Sequence, residues 1–587
     1  MSLSFGGILV VKIEVFLFGR KMIPQIRRQA SIDRDRYRVI TVMALFCAVF
    51  GIIAARLVIL GFAPDAAPSG EWSEAIVVSR PDLVDRNGET LATDVSTVSL
   101  FAEPRRIVDA DEASERLRTV LTELDADTLH AKLSGDGGFA WLKRKLTPRQ
   151  QQSILELGIP GLGFRQDKQR LYPGGATSSH VVGFVDIDNR GIAGMEKYLD
   201  DQGYTDLQSL GLASDHNLNP VKLSLDVRIQ SIVRDELINA LSRYKAVAAG
   251  GVILDVDTGE VLSMVSLPDF DPNDPKDALL SDRLNRVSAG TFEMGSTFKS
   301  FTTAMVLDSG LVKLTDSFDA SLPIRIDGFT IKDFHGKGRR LTVPEIFEYS
   351  SNIGSAKEAE VVGVKAHQEF LTRIGLLTRL RTELPETATP MQPKTWKKIN
   401  SMTISFGHGV STTPLQTAAA AAALMNGGYL IPPTFLRRSR EEADKLKVPV
   451  VSKKTSDEMR YLYQLNGQKG SGRSALVPGY RVGGKTGTAE KVVNGRYSPD
   501  KRFNSYIAAF PIDAPRYVVL VFLDEPQVED GKSGATAGSN AAPTVGAIIR
   551  RSAGLLQVRP DFDQEGKTVL TAQCEPDAAK PKRTLDC

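Results

Sequence analysis

The chain has 587 residues, 42% hydrophobic and 24% charged, a composition ordinary for folded protein and a length that sets a prior of about four domains. A formal net charge of +3 lacks the concentrated basic character of a nucleic-acid binder, so no nucleic acid partner is expected. The cysteines (Cys47, Cys574, Cys587) form no Cys-x-x-Cys pair and the histidines (His130, His180, His216, His335, His367, His408) have no ligand spacing, so neither metal nor cofactor is expected.

Residues 1–38 form a basic segment in which Lys and Arg outnumber Glu14, Asp33 and Asp35. Its first half is apolar but broken by Lys12 and Glu14. It reads as an amphipathic segment or, the favoured reading, as the product of a start codon placed too early, since Met22 opens a conventional basic leader. Residues 39–62 are nearly all apolar, long enough as a helix to cross about 30 Å of hydrocarbon. With basic residues before it and Asp65, Glu71 and Glu74 after it, the span predicts a single-pass transmembrane anchor with a cytoplasmic N-terminus. Cleavage near Ala63-Pro64-Asp65-Ala66 is the lesser alternative. Arg56, within the span, either snorkels to the outer interface or touches a membrane partner.

From 63 to 218 short strand-like runs alternate with polar helical patterns (113–124, 147–157), and Asn87-Gly88 marks a hairpin over 79–92. The paired carboxylates of a glycosyltransferase or hydrolase do not occur there, so the region is read as a non-catalytic pedestal. A second domain, 219–555, opens with an amphipathic helix over 229–242 and two apolar strands joined at Asp257-Thr258-Gly259. Strands at 505–510 and 517–522 flank Pro511-Ile512-Asp513, Lys485-Thr486-Gly487-Thr488 lies on the strand before, and helices are expected at 300–308, 343–349, 414–426 and 541–551. The fold class is α/β of the α+β type, an antiparallel sheet flanked by helices rather than a doubly wound one. Residues 556–587, charged and proline-containing, are expected to be a mobile tail. A Cys574–Cys587 disulfide is open to them outside the cytosol.

The chemistry centres on Glu293-Met294-Gly295-Ser296-Thr297-Phe298-Lys299. If a helix starts at Ser296, Ser296 and Lys299 share a face. An amine then meets a hydroxyl, and free first-turn N–H groups can receive negative charge. Serine is a weak nucleophile until a neighbouring base takes its proton. Alone the spacing is weak, for Ser242–Lys245 and Ser498–Lys501 repeat it. Followed in order by Ser350-Ser351-Asn352 and Lys485-Thr486-Gly487, it completes a three-part serine-enzyme set. A rival lies in the same residues: Gly479 to Thr486 fits the phosphate-loop pattern letter for letter. A phosphate loop needs a buried strand before it and a helix after it, and neither pattern is present.

Together these motifs resemble the class B penicillin-binding proteins, and among them the septal cell-division transpeptidases, from the anchor to about residue 552. The likeness includes Arg80…Asp85-Arg86-x-Gly88, Gly191-x-x-Gly194-x-Glu196, Asn285-Arg286, and Gly407-His408-Gly409-Val410-Ser411-x-Thr413-Pro414-Leu415-Gln416. Met294 stands where the family usually has proline and Pro81 where it has glycine; both change backbone stiffness rather than chemical groups. The resemblance implies an inner-membrane enzyme at the division septum with its catalytic domain in the periplasm, cross-linking peptidoglycan stem peptides of lipid-II-derived glycan and targeted by β-lactams. It implies an FtsW-type polymerase and other divisome proteins as partners. Ser296 would attack the carbonyl between two terminal D-alanines, with Lys299 as general base. Ser350 would relay protons and Asn352 orient Lys299 and the substrate amide. Lys485 would supply positive charge and lower the proton affinity of Lys299. Thr486 and Thr488, flanking Gly487, would hold the terminal carboxylate, and the N–H groups of Ser296 and Thr488 would form the oxyanion hole.

Alternatives are a retired β-lactam-binding scaffold, a D,D-carboxypeptidase or β-lactamase, and the elongation-specific class B enzyme. Intact motif residues oppose the first, the anchor and pedestal the second, and Asn352, where elongation enzymes tend to carry Asp, the third. His408 reads as a structural turn residue and Gly427-Gly428 as a helix C-cap. Phe503 and Tyr506 either pack or line the groove. The loop 333–340 reads as solvated, or as a border of the acceptor site.

Overall fold

The computed structural model describes residues 40–56, 79–203, 219–493, 495–529 and 535–562, in two compact units, Met1–Ile76 and Val77–Cys587. In the first unit residues 40–56 are helical with exposed side chains. The rest of the 39–62 span, both candidate start positions and the two tail cysteines lie outside the described residues. Among those described, no helix is long and apolar enough to cross a membrane.

The second unit begins with the expected hairpin, Leu83–Val84 against Thr90–Ala102. Asp85 builds its turn: Oδ1 accepts from the backbone N–H groups of Asn87 (2.7 Å) and Glu89 (3.0 Å). Strand Leu162–Leu171 pairs along Thr90–Ala102 from Thr93–Leu171 to Ala102–Leu162, while Ala140–Leu146 takes its other edge near the tip. There a separate small core forms from Leu100, Leu117, Leu129, Leu142 and Ile154. Helix Ala110–Val120 starts earlier than the apolar pattern suggests, because Asp109 caps it through the N–H groups of Asp111 and Glu112. A second helix, Ala126–Leu133, capped by Asp125, has too short an apolar repeat to be expected.

The base of the pedestal is different. Leu83, Leu91, Tyr172, Val181 and Met195 share one continuous apolar core with Phe298, Phe301, Leu415 and Phe522 of the second domain. Beside it lies a buried ionic cluster. Glu196 takes Arg80 Nε at 2.8 Å and Arg170 Nε at 2.7 Å, and all three side chains are fully buried. Asp200 and Asp94 take the outer nitrogens at 2.6 and 3.1 Å, and the carbonyls of Glu196 and Pro81 accept the remaining donors.

The second domain is built on an antiparallel sheet. Its strands are β1 (Ala248–Asp255), β2 (Val261–Leu267), β3 (Gly483–Val493), β4 (Arg496–Phe510) and β5 (Tyr517–Asp524), in the spatial order β3-β4-β5-β1-β2. Its helices include α1 (Val227–Arg243), α2 (Lys299–Asp308), α3 (Asn352–Val362), α4 (Pro414–Met425), α5 (Lys453–Gln468) and α6 (Ala541–Ser552). Strand β5 is apolar from Val518 to Leu523 because both faces are covered: Val519 and Val521 enter the core under α1 and α6, whereas Val518, Leu520 and Phe522 enter the one beneath α2 and α4. All of α4 is buried, and its run of alanines lets it sit close to the sheet. Phe503 and Tyr506 are buried at 2% and 0% exposure, so they pack rather than line a groove. The tail departs from expectation at its start. Leu556 and Val558 are buried, Asp561 N donates to Gly479 O at 2.7 Å, and Arg481 reaches Asp561 at 3.3 Å, so 556–562 is held to the domain by specific contacts that its polar composition hides.

Candidate active site

Three segments converge. The first is a 3-10 turn, Gly295–Phe298, which runs into α2. The expected α-helical start at Ser296 is therefore one turn of tighter helix, in which positions three apart eclipse. That places Lys299 Nζ 2.9 Å from Ser296 Oγ. The turn is anchored from behind by Phe292, which stacks on Phe503 at 4.3 Å between ring centroids. Gly295 has φ +55°, and a Cβ there would stand 2.9 Å from the Thr488 carbonyl oxygen. Only glycine meets both conditions.

The second segment is the turn before α3. Ser350 has φ +56°, a left-handed conformation that costs a side-chain-bearing residue about 1–2 kcal/mol. In that conformation Ser350 presents both its carbonyl (2.6 Å) and its Oγ (3.0 Å) to Lys299 Nζ, and Asn352 Oδ1 stands at 2.8 Å. The third segment is β3, an edge strand whose outward backbone groups are free of the ladder on one side. Lys485 Nζ donates to Ser350 Oγ at 3.0 Å and lies over the Phe347 ring at 5.6 Å. Gly487 allows the close approach, since a Cβ there would be 2.3 Å from the Met294 carbonyl oxygen. Thr486 Oγ1 shares a 2.5 Å hydrogen bond with Ser471, and Thr488 Oγ1 accepts from Ala537 N at 3.1 Å. The phosphate-loop alternative fails here: Lys485 and Thr486 sit in mid-strand, opposite Ile507 and Tyr506.

Lys299 and Lys485 are both fully buried. Burial, then the charge of Lys485, holds the Lys299 amine well below the ordinary lysine range; burial pushes Lys485 down to about 7. A neutral Lys299 has two N–H donors and one lone pair. The carbonyl of Ser350 and Oδ1 of Asn352 can only accept, so they take the two hydrogens. The lone pair is left to the hydroxyls. Glu358, buried beneath Lys299 and bonded to Thr303 at 3.1 Å, is pushed by burial up to about 8, so at pH 7 it is mostly neutral and does little to recharge the amine.

All the residues singled out from the sequence, Ser296, Lys299, Ser350, Asn352, Lys485, Thr486, Gly487 and Thr488, come together in this site. Three other contributors were not singled out for it. Ser471 lies in a Gly-Ser-Gly loop, Asp333 in the loop read as solvated or as a border of the acceptor site, and Glu293 links Tyr497 Oη (3.0 Å) and Gly409 N (2.8 Å) beside His408. The structural reading of His408 is consistent with that position. Among the described residues no cluster of His, Cys, Asp and Glu could hold a metal ion.

Fold and site together define a serine enzyme of the penicillin-binding kind: the family model described as the penicillin binding protein transpeptidase domain matches residues 249–550, and that of the penicillin-binding protein dimerisation domain matches residues 75–213. The chain belongs to the penicillin-binding protein transpeptidase family. It is 38% identical over 540 residues, covering 90% of each chain, to the probable peptidoglycan D,D-transpeptidase FtsI of Caulobacter vibrioides. It is 31% identical over 522 residues, 83% of this chain and 85% of the other, to the peptidoglycan D,D-transpeptidase FtsI of Escherichia coli. Among solved structures it is similar to penicillin binding protein 3 of Mycobacterium tuberculosis complexed with aztreonam, with TM-score 0.63 and 25% identity over 82% of this chain and 97% of that one.

Proposed function

We propose that the chain is a peptidoglycan D,D-transpeptidase that cross-links stem peptides through an acyl-enzyme on Ser296. The observation that carries this reading is the chain of contacts Ser296 Oγ–Lys299 Nζ–Ser350 Oγ–Lys485 Nζ at 2.9, 3.0 and 3.0 Å. Lys299 takes the Ser296 proton as Oγ bonds to the carbonyl carbon between two D-alanines. The oxyanion faces the N–H groups of Ser296 and Thr488. As the C–N bond breaks, the proton passes from Lys299 through Ser350 to the departing D-alanine nitrogen. An amine of a neighbouring stem then attacks the ester carbon, and the proton it loses passes through Lys299 to the departing Ser296 Oγ. Lys485, Thr486 and Thr488 hold the terminal carboxylate, and Asn352 keeps Lys299 and the substrate amide in register. β-Lactams enter as mimics of the D-Ala-D-Ala end. The names of the relatives support a septal role; the family resemblance of the motifs supports an FtsW-type polymerase and other divisome proteins as partners, and the apolar run 39–62 supports an inner-membrane anchor with the enzyme domain periplasmic.

The test is intact-mass and peptide mapping of the full-length protein after penicillin. One adduct on the peptide containing Ser296 is expected; an adduct elsewhere, or none on folded protein, overturns the reading.

The pH profile follows from the two lysines. Acylation is expected to rise with pH as Lys299 loses its proton, and to fall again around pH 7 and above as Lys485 is discharged. Lys299→Gln should lower the second-order acylation rate by about 10²–10⁴-fold and erase the acid limb, measured with a fluorescent penicillin. An acid limb that survives in this variant would move the base elsewhere.

A further inference from the structure

Residues 334–340 are exposed, Phe334 at 77%. Just before this surface, the half-buried side chain of Asp333 and the backbone carbonyl of the exposed Lys332 reach the start of α3. Asp333 Oδ2 accepts from Ser351 Oγ at 2.7 Å, and Oδ1 accepts from the Ile353 backbone N–H at 2.9 Å. The carbonyl of Lys332 accepts from Asn352 Nδ2 at 3.1 Å. Those bonds fall on three consecutive residues at the start of α3, directly after Ser350 in its left-handed conformation. The Lys332 carbonyl settles which end of the Asn352 amide faces Lys299, because an acceptor there demands Nδ2 and leaves Oδ1 for the amine. The Asp333 carboxyl caps the first turn of α3, where the helix N-terminus favours an anion, and holds Ser351 by its hydroxyl while Ser351 Oγ accepts from Gly354 N at 2.9 Å.

We infer that Asp333, with the carbonyl of Lys332, is a positioning residue of the acyl-transfer site: it clamps the Ser350–Asn352 turn against Lys299 and sets the charge that Lys299 experiences. This rests on the reading of Ser296 as nucleophile and Lys299 as base. The groups that face Lys299 are Lys485 from β3, Glu358 from α3, His408 from the 407–409 loop, and Asp333. Burial, then the charge of Lys485, drives the proton off Lys299, while Asp333 and Glu358 pull the other way. Burial keeps Glu358 mostly neutral at pH 7 and pushes His408 down to about 4, so it too is uncharged there. Asp333 is then the opposing influence that substitution can remove without entering the buried core.

The experiment is the rate of acylation by a fluorescent penicillin against pH, for the full-length protein and its Asp333→Asn variant. Asn keeps an acceptor for Ile353 N and removes the charge. A rate lower by on the order of ten- to a hundredfold, with the acid limb displaced to lower pH, is the expected result. An unchanged rate, or a slower one with the limb where it was, overturns the proposal, since a purely structural cap slows the reaction without moving a titration. If Asp333→Asn does not fold, Asp333→Glu keeps the charge and misplaces it: a slower rate with the acid limb displaced supports the proposal, and a wild-type rate or an unmoved limb overturns it. Penicillin labelling that persists in Ser296→Ala would instead remove the reading on which the inference stands, whatever Asp333 does.

Discussion

Ser296→Ala takes up no detectable penicillin and remains folded: that is the expected result, a loss of about a millionfold in acylation by analogy with removal of other activated serines. Both halves follow from the site. Ser296 is only half-buried, and its removal leaves Lys299 with the Ser350 carbonyl, Ser350 Oγ and Asn352 Oδ1 still within 3.0 Å. No buried charge is stranded and no cavity is opened in the core, so the melting temperature should move little. The sharper question is whether Ser350 can stand in, since its Oγ touches both amines. Ser350 is not on the Gly295–Phe298 turn, whose first-turn N–H groups are the ones proposed to receive the oxyanion, so acylation at Ser350 is not expected. In-gel fluorescence at saturating labelled penicillin, beside a thermal melt, reads both outcomes. Labelling of the variant at the wild-type rate would refute Ser296 as nucleophile.

Glu196→Ala has the largest expected effect on stability. The carboxylate is fully buried between two fully buried guanidinium groups at 2.8 and 2.7 Å. Two cations then keep only Asp200, Asp94 and backbone carbonyls as partners. Removing one member of such a buried set costs about 3–5 kcal/mol, mostly the penalty of charges left uncompensated. The core around Tyr172, Val181 and Met195 is shared with the second domain, so the loss should appear as a lower melting temperature of that domain too, not of the pedestal alone. Differential scanning calorimetry, with penicillin labelling as a local probe, separates the cases. A transition that moves by less than a degree would mean that water enters and replaces the carboxylate.

How much could be read in the sequence varies with the kind of signal. The three site segments were legible because each carries its chemistry in consecutive letters, and β1, β2, β5 and the end of β4 (505–510) because continuous apolar runs bounded by turn residues have few other uses; the polar first part of β4, from Arg496, was not. Helix α5 was not, since Lys453–Gln468 is polar along much of its length and earns its place only through contacts such as Tyr463 with Ser300 at 2.9 Å. Asp333 was illegible for a different reason. An aspartate amid Lys332, Phe334, His335 and Lys337 looks like solvent-facing loop, and its role depends on a turn 18 residues further on that no local pattern links to it. The held segment 556–562 failed similarly, as composition cannot tell a polar tail from a polar strap with a receptor.

The pairing of Ala102 with Leu162 has a further consequence for how this protein could change over time. Everything between those two residues hangs from the open end of a ladder, with an apolar core of its own built on Leu100 and Ala102. The base below it shares its interior with the enzyme domain. An ancestor could therefore enlarge, shrink or exchange residues 103–161 as one cassette, provided that the edge Val98–Ala102, which Ala140–Leu146 now covers, and the Asp167 and Asp188 partners of Arg144 are satisfied again. No comparable cut exists lower down, so natural variation in reach belongs at the tip of the pedestal and constancy at its root.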